Sequence, residues 1–90
     1  MTGIEFDPAK RDVTLRERDL DFAEAALVFA GRTATIADGR MNYGEDRYIT
    51  AGHLRDRCVV MVWTPRGASR RIISMRYAHA SEEKAWFGMG

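Results

Sequence analysis

The sequence is poor in the features that cross-link small proteins or anchor them in membranes. Only one of its 90 residues is a cysteine, Cys58, so no intramolecular disulfide can form, which indicates a reducing compartment. The longest apolar runs, Ala25–Ala30 and Cys58–Trp63, are far shorter than the roughly 20 residues that span a bilayer. The N-terminal residues mix acids and bases without an apolar stretch. We therefore expect no secretory signal peptide and a cytoplasmic location.

Motifs for common cofactors are missing as well. Gly39 and Gly44 stand close together, but they lack the lysine and the strand–helix context of a phosphate-binding loop. The single cysteine and the two histidines, His53 and His79, are too scattered along the sequence to predict a zinc site. We expect His53 to lie on the surface near a hairpin, and we expect neither a metal nor a cofactor.

Arginine is what the sequence has in abundance, since it supplies twelve of the fourteen basic residues. Residues 1–30 carry seven acids and four bases, whereas residues 31–90 carry six acids and ten bases. Four arginines and no acid lie between Pro65 and Ala80; they are Arg66, Arg70, Arg71 and Arg76. The planar guanidinium group suits phosphate or carboxylate. The pattern fits a nucleic-acid contact, and it also fits a solvated sheet edge protected by charge.

Capping signals predict two helices near the N-terminus of one domain, residues 1–90. Asp7-Pro8 supplies an N-cap and a first helical residue, and the helix is expected to run to about Arg18. Asp21 is a second N-cap with Glu24 as its capping-box partner, and Gly31 ends that helix. The two helices place the first third of the chain in a helical layer.

Strand signals dominate the rest of the chain. β-Branched and apolar runs separated by short polar turns predict four strands, Thr33–Ala37, Arg47–Leu54, Cys58–Thr64 and Arg70–Ala78. Residues 38–46 are expected to form a loop, Ile4–Phe6 is a candidate edge strand, and Ser81 is the expected cap of a closing helix, Glu82–Phe87. We therefore predict an α+β fold in which two N-terminal helices pack on a four-stranded, mainly antiparallel sheet, with a short C-terminal helix.

Four segments occur together in the order and spacing of a known family. They are Phe6–Lys10, Phe22–Phe29, Gly44–Arg47 and Arg71–Arg76. From Phe6 to about Trp86 the chain resembles the BrnT toxins. It departs from the usual Asn-x-x-Lys-His-Gly turn between the first two helices, where it has Thr14, Glu17, Arg18 and Asp19.

The resemblance implies a fold like that of the RelE ribonucleases and a role in a type II toxin–antitoxin system. It implies an endoribonuclease that cleaves mRNA and arrests growth. The implied partner is a BrnA-like ribbon–helix–helix antitoxin in a 2:2 complex, and operator DNA would be contacted only through that antitoxin.

Cleavage of RNA without a metal needs a base for the 2′-hydroxyl, an acid for the leaving 5′-oxygen and cations for the phosphorane. Arg47 and Glu45 stand two residues apart, so they suit phosphate binding and proton transfer, or an ion pair that fastens the loop. Strict alternation puts Arg76 and Ser74 on one face of the last strand and Arg71 on the other. We expect Arg47 and Arg76 to share the phosphate, while Arg71 suits either RNA binding or a structural ion pair.

Three further side chains complete the candidate site. Histidine is the residue type whose ordinary protonation change suits acid–base chemistry at neutral pH. His79 therefore suits general acid–base catalysis, or it is an exposed residue leading into the last helix. Lys10 suits phosphate contact or plain solvent exposure, and Trp86 suits base stacking or an anchoring role. The predicted catalytic residues are thus Arg47, Arg76, Glu45 and His79, and the predicted RNA-binding residues are Lys10, Arg71 and Trp86.

A second hypothesis belongs to another class of protein. The chain could act as an interaction module that binds the antitoxin and modulates operon repression, with little or no nuclease activity. A DNA-binding domain is disfavoured, because no predicted helix combines basic residues with a groove-reading face.

Overall fold

A short strand and the helical segments come first in the chain, four strands follow, and a helix closes it. The structure, a computed structural model, describes residues 3–39 and 44–88, so positions 40–43 of the predicted loop lie outside it. The elements are β1 (Gly3–Phe6), α1 (Pro8–Arg18), a 3-10 turn (Phe22–Glu24), α2 (Ala25–Ala30), β2 (Ala34–Ala37), β3 (Tyr48–Leu54), β4 (Arg57–Arg66), β5 (Ser69–Tyr77) and α3 (Ala80–Phe87). In the described ranges no helix is long and apolar enough to cross a membrane.

The sheet has five strands in the order β1-β5-β4-β3-β2. Strands β2 to β5 pair antiparallel with one another, as the consecutive hairpins predict. The candidate edge strand Ile4–Phe6 is confirmed as part of β1, which adds a fifth strand to the predicted four and pairs in parallel with β5, from Gly3 beside Ser69 to Phe6 beside Ile72. The fold is therefore α+β with a mixed sheet, and the parallel pairing brings the start of α1 close to β5.

The first helix begins and ends at local signals. The Asp7 carboxylate accepts a hydrogen bond from the Ala9 amide at 2.9 Å, and Pro8 occupies the first helical position. Asp19 ends the helix in the left-handed conformation, with φ of 58°. The predicted bounds of α1 are confirmed.

The second helix is shorter than its capping signals predict. Asp21 accepts from the Ala23 amide at 2.9 Å, but it caps a 3-10 turn, and regular α-helix starts only at Ala25. Glu24 does not complete a capping box within this segment; both of its oxygens accept from Arg55, at 2.7 and 3.0 Å. A charge-assisted pair with a hairpin arginine replaces the local bond that the sequence pattern suggested.

The core lies between the sheet and the layer formed by α1, the 3-10 turn and α2. Its members are almost completely buried: Leu20, Phe22, Ala25, Val28, Leu54, Val59, Met61, Trp63, Ile72 and Met75. Inside it, Trp63 donates from its indole nitrogen to the Thr50 hydroxyl at 2.8 Å. Gly52 permits the close approach of α2, since a Cβ there would lie 2.5 Å from a methyl carbon of Val28.

A β-bulge changes the faces of the last strand. Val62 pairs with Ser74, but the next residue of β4, Trp63, pairs with Ile72, so Ile73 is an additional residue on β5. Strict alternation fails at this point, and Arg71 lies on the same face of the sheet as Ser74 and Arg76. The predicted separation of Arg71 from Arg76 by face is therefore wrong.

Candidate active site

One end of the sheet carries a cleft of about 250 Å³ that is rich in cationic side chains. Its described lining residues are Asp7, Lys10, Glu45, Arg47, Arg66, Arg71, Ile72 and Ile73. Four of the seven predicted site residues are thus brought together; they are Lys10, Glu45, Arg47 and Arg71. We call this set with Arg66 the cationic cleft.

Pairing between β1 and β5 places the first two cations of the cleft. Glu5 lies beside Arg71 in the register, and β1 leads through Asp7 directly into α1, whose first turn carries Lys10. The Asp7 carboxylate is engaged as the N-cap of that helix. Lys10 and Arg71 therefore reach the cleft from a helix and a strand that the parallel pairing holds side by side.

A short segment before β3 supplies the other predicted pair. Gly44 has φ of 75°, a left-handed conformation that glycine adopts without steric cost, and it precedes Glu45. The segment is fastened on both sides, because the Thr64 hydroxyl donates to the Asp46 carbonyl and the Asp38 amide donates to the Arg47 carbonyl at 2.8 Å. These bonds hold Glu45 and Arg47 over the end of the sheet.

Weak ion pairs connect the side chains of the cleft. Glu45 accepts from the Arg47 Nε at 3.4 Å and from an Arg66 Nη at 3.2 Å, and Arg71 donates to Glu5 at 3.3 Å. The side chains in these pairs are between 23% and 50% exposed, so water screens them. Ion pairs of this kind contribute little stability, and a phosphate group can replace a carboxylate as the partner of the guanidinium groups.

The Arg76 guanidinium is held elsewhere by a strong ion pair. It donates to both oxygens of Glu82 in α3, at 2.8 and 2.7 Å, and Glu82 also accepts from the His79 amide at 2.9 Å. The Arg76 hydrogen bonds are the main reason that the pKa of Glu82 falls to about 2. We call Arg76 and Glu82 the helix anchor, because they tie the start of α3 to the sheet.

The structure does not bring Arg47 and Arg76 together on one partner. Arg47 stands one residue before Tyr48, which lies across the sheet from Trp63 and Ile72. Arg76 lies further along the sheet, where it pairs with Val60. Arg76 is five residues beyond Arg71 on β5, which corresponds to roughly 15 Å along the strand. The two guanidinium groups are held by different carboxylates, Glu45 and Glu82.

The remaining two predicted residues also lie with α3. His79 is exposed at the N-cap of α3, where the sequence pattern had suggested Ser81. Trp86 is half-buried near the end of the same helix. The described lining of the cleft includes neither of them, so their predicted catalytic and RNA-binding roles have no geometric connection to the cleft.

Arg66 belongs to the cationic cleft although it was not a predicted site residue. It belongs to the acid-free arginine segment, but nothing in the sequence distinguishes it from Arg70, which stacks over the rings of Phe29 and Trp63 at 3.9 and 5.1 Å. The distinguishing signal is its position at the end of β4, next to the turn into β5. Hairpin geometry, and not arginine content, brings Arg66 to Glu45.

Comparison with known proteins identifies a family for this chain. No curated protein sequence matches the chain. The family model described as the ribonuclease toxin BrnT of type II toxin–antitoxin systems matches residues 6–82, a range that contains every residue of the cationic cleft. The chain therefore belongs to the BrnT family of ribonuclease toxins.

Proposed function

We propose that this chain is a metal-independent endoribonuclease that cleaves mRNA and arrests growth, with the cationic cleft as its active site. The observation that carries the proposal is the convergence of four cations from separate segments on one cleft that also holds a carboxylate. Lys10 comes from α1, Arg47 from the segment before β3, and Arg66 and Arg71 from the β4–β5 hairpin. Such a set supplies the positive charge that a phosphorane requires.

Each side chain has a role that its chemistry permits. Glu45 accepts the proton of the ribose 2′-hydroxyl, whose oxygen then attacks phosphorus. Arg47 and Arg71 hold the non-bridging oxygens, and Arg66 exchanges its contact with Glu45 for one with the substrate. Lys10 donates a proton to the leaving 5′-oxygen as the bond to phosphorus breaks. The products are a 2′,3′-cyclic phosphate and a 5′-hydroxyl.

The type II family implies an antitoxin partner, and we propose a BrnA-like ribbon–helix–helix protein that binds the toxin in a 2:2 complex in the cytoplasm. The charge of the cleft favours an antitoxin segment with acidic side chains that covers the four cations. Operator DNA is then contacted through the antitoxin.

A second function, an antitoxin-binding module with little nuclease activity, is favoured by one observation. Arg76, His79 and Trp86 lie with α3, so a mechanism in which they act on the same phosphate as Arg47 loses three of its seven predicted groups. The two functions differ in what the purified chain does to RNA.

The test uses the purified chain with a defined mRNA fragment and the same fragment carrying 2′-deoxyribose at the cleaved position. We expect cleavage of the first to a cyclic phosphate and no cleavage of the second, because the attacking hydroxyl is missing. Induction of the chain without antitoxin is expected to arrest growth, and Glu45→Gln to relieve the arrest. Binding of the antitoxin without any RNA cleavage would favour the interaction module.

A further inference from the structure

A second group of chemically reactive side chains lies under α3, on the far side of the sheet from the core. His53 of β3 and Cys58 of β4 are direct cross-strand partners near the hairpin turn. Glu83 of α3 comes down onto this pair, and its carboxylate oxygen lies 3.2 Å from the His53 Nε2. Each of the three residues offers one potential metal-ligand atom, and these atoms all lie within 4.8 Å of one another.

The spacing of these atoms matches the needs of a tetrahedral metal. Two ligand atoms on one zinc ion lie about 3.5 Å apart, given bonds of about 2.0–2.3 Å. The His53–Glu83 contact already has this length, and only the thiol has to come slightly nearer. Since β3 and β4 are joined by a tight hairpin, two of the three ligands are held in place before a metal arrives.

The surroundings support the same chemistry. Cys58 is only 5% exposed, so its sulfur faces the protein, while His53 and Glu83 are exposed and leave a path for an ion. The His53 ring packs on the Phe87 ring at 5.0 Å, which limits its rotation. The neighbouring cation Arg32 lies over the Phe87 ring, with 5.0 Å between the guanidinium carbon and the ring centroid.

We propose that His53, Cys58 and Glu83 form a Zn²⁺ site with a fourth position for water. Thiolate, imidazole and carboxylate together are a donor set typical of zinc. Zinc takes the place of the thiol proton of Cys58, which passes to solvent, and the metal sits between the His53 nitrogen and the Glu83 oxygen. The sequence had argued against zinc because its histidines and cysteine are scattered, but the hairpin register makes His53 and Cys58 neighbours.

The site has a structural consequence that is independent of the proposed nuclease. None of the residues of α3 is buried, so the helix is held by few contacts such as the pair between Arg76 and Glu82. A metal bound to Glu83 ties α3 to the β3–β4 hairpin. Zinc is therefore expected to stabilise the C-terminal part of the chain, and this holds whether or not the protein cleaves RNA.

The test titrates the metal-free protein with Zn²⁺ by calorimetry and with Co²⁺ by absorption spectroscopy. We expect one ion per chain, an intense visible spectrum typical of tetrahedral cobalt, and a thiolate-to-cobalt band in the near ultraviolet. Cys58→Ser should abolish that band, and His53→Asn and Glu83→Gln should each weaken zinc binding by about tenfold or more. His79→Asn is the matched control, since it changes the other histidine and keeps a good N-cap for α3.

The cobalt spectrum of the unaltered protein needs no variant and so does not depend on how a substitution folds. Zinc is also expected to raise the Tm of the unaltered protein and to leave the Tm of Cys58→Ser unchanged. Absence of binding, a cobalt spectrum without the thiolate band, or equal zinc affinity of Cys58→Ser and the unaltered chain would overturn the proposal.

Discussion

The cationic cleft and the helix anchor are built from the same pair of residue types in different geometries. In the cleft, one carboxylate, Glu45, contacts Arg47 and Arg66 at 3.4 and 3.2 Å. In the anchor, Arg76 faces one carboxylate, Glu82, with two short bonds of 2.8 and 2.7 Å. The first arrangement shares one acid between two cations, whereas in the second one guanidinium group donates to both oxygens of one acid.

This difference in geometry determines which arginines can bind a substrate. A bidentate pair with both oxygens satisfied gains little from exchanging its carboxylate for a phosphate. Contacts of 3.2 and 3.4 Å between partly exposed charged groups are easily replaced by a group with more negative charge. We therefore place substrate binding at the cleft and helix positioning at Arg76.

The largest expected difference lies between the two carboxylates. Glu45→Gln should lower the rate of RNA cleavage by about 100-fold or more, because it removes the proposed general base. Glu82→Gln should leave the rate essentially unchanged, since Glu82 contacts Arg76 and the His79 amide and is not among the described lining residues of the cleft. Single-turnover cleavage of a defined RNA measures both rates. A greater loss of rate in Glu82→Gln would reverse our division of the two regions.

The stability of the protein at low pH should depend on Glu82, the carboxylate with the smaller expected effect on the cleavage rate. The pKa of Glu82 is lowered to about 2, so as the pH falls from about 4.5 the unfolded chain takes up the proton before the folded one. The stabilising effect of Glu82 is therefore fully present above about pH 4.5 and is lost as the pH falls towards 2. The Tm of Glu82→Gln should lie below that of the unaltered protein at neutral pH, and this difference should shrink over that window. Glu17→Gln, an exposed change on α1, is the control, and a constant difference would contradict the account.

The smallest effect is expected at a turn that belongs to neither region. Asp19 ends α1 with φ of 58°, where a residue with a side chain is strained and glycine is not. Asp19→Gly should increase the free energy of unfolding by about 0.5 kcal/mol, because removal of the strain outweighs the greater freedom of glycine in the unfolded chain. Urea denaturation measures the change, and the cleavage rate should stay constant. A loss of stability would show that the Asp19 side chain contributes more than its backbone costs.

Local signals in the sequence account for a large part of the fold. The N-cap and proline at Asp7-Pro8 predict the start of α1, and the alternation of apolar runs with short turns predicts the four antiparallel strands. The extra residue at Ile73 leaves no mark in the sequence, because a bulge arises from how two strands pair. That single residue moves Arg71 to the face that carries Arg76.

The candidate site could be predicted only in part, for a related reason. Glu45 and Arg47 are close in sequence and stay close in space. Arginine content alone could not rank Arg66 above Arg76, because the partners that distinguish them, Glu45 and Glu82, are fixed by the hairpin and by the packing of α3. Long-range pairing decides which guanidinium groups reach the cleft.

The most direct test of the central claim compares RNA binding by two arginine variants in a Glu45→Gln background, where the substrate stays intact. We expect Arg71→Ala to weaken binding of a short single-stranded RNA by about tenfold and to reduce the salt dependence by about one counterion. Arg76→Ala should leave the affinity and its salt dependence unchanged while lowering Tm. Equal losses of affinity in the two variants, or a greater loss in Arg76→Ala, would contradict the assignment of the RNA phosphate to the cationic cleft.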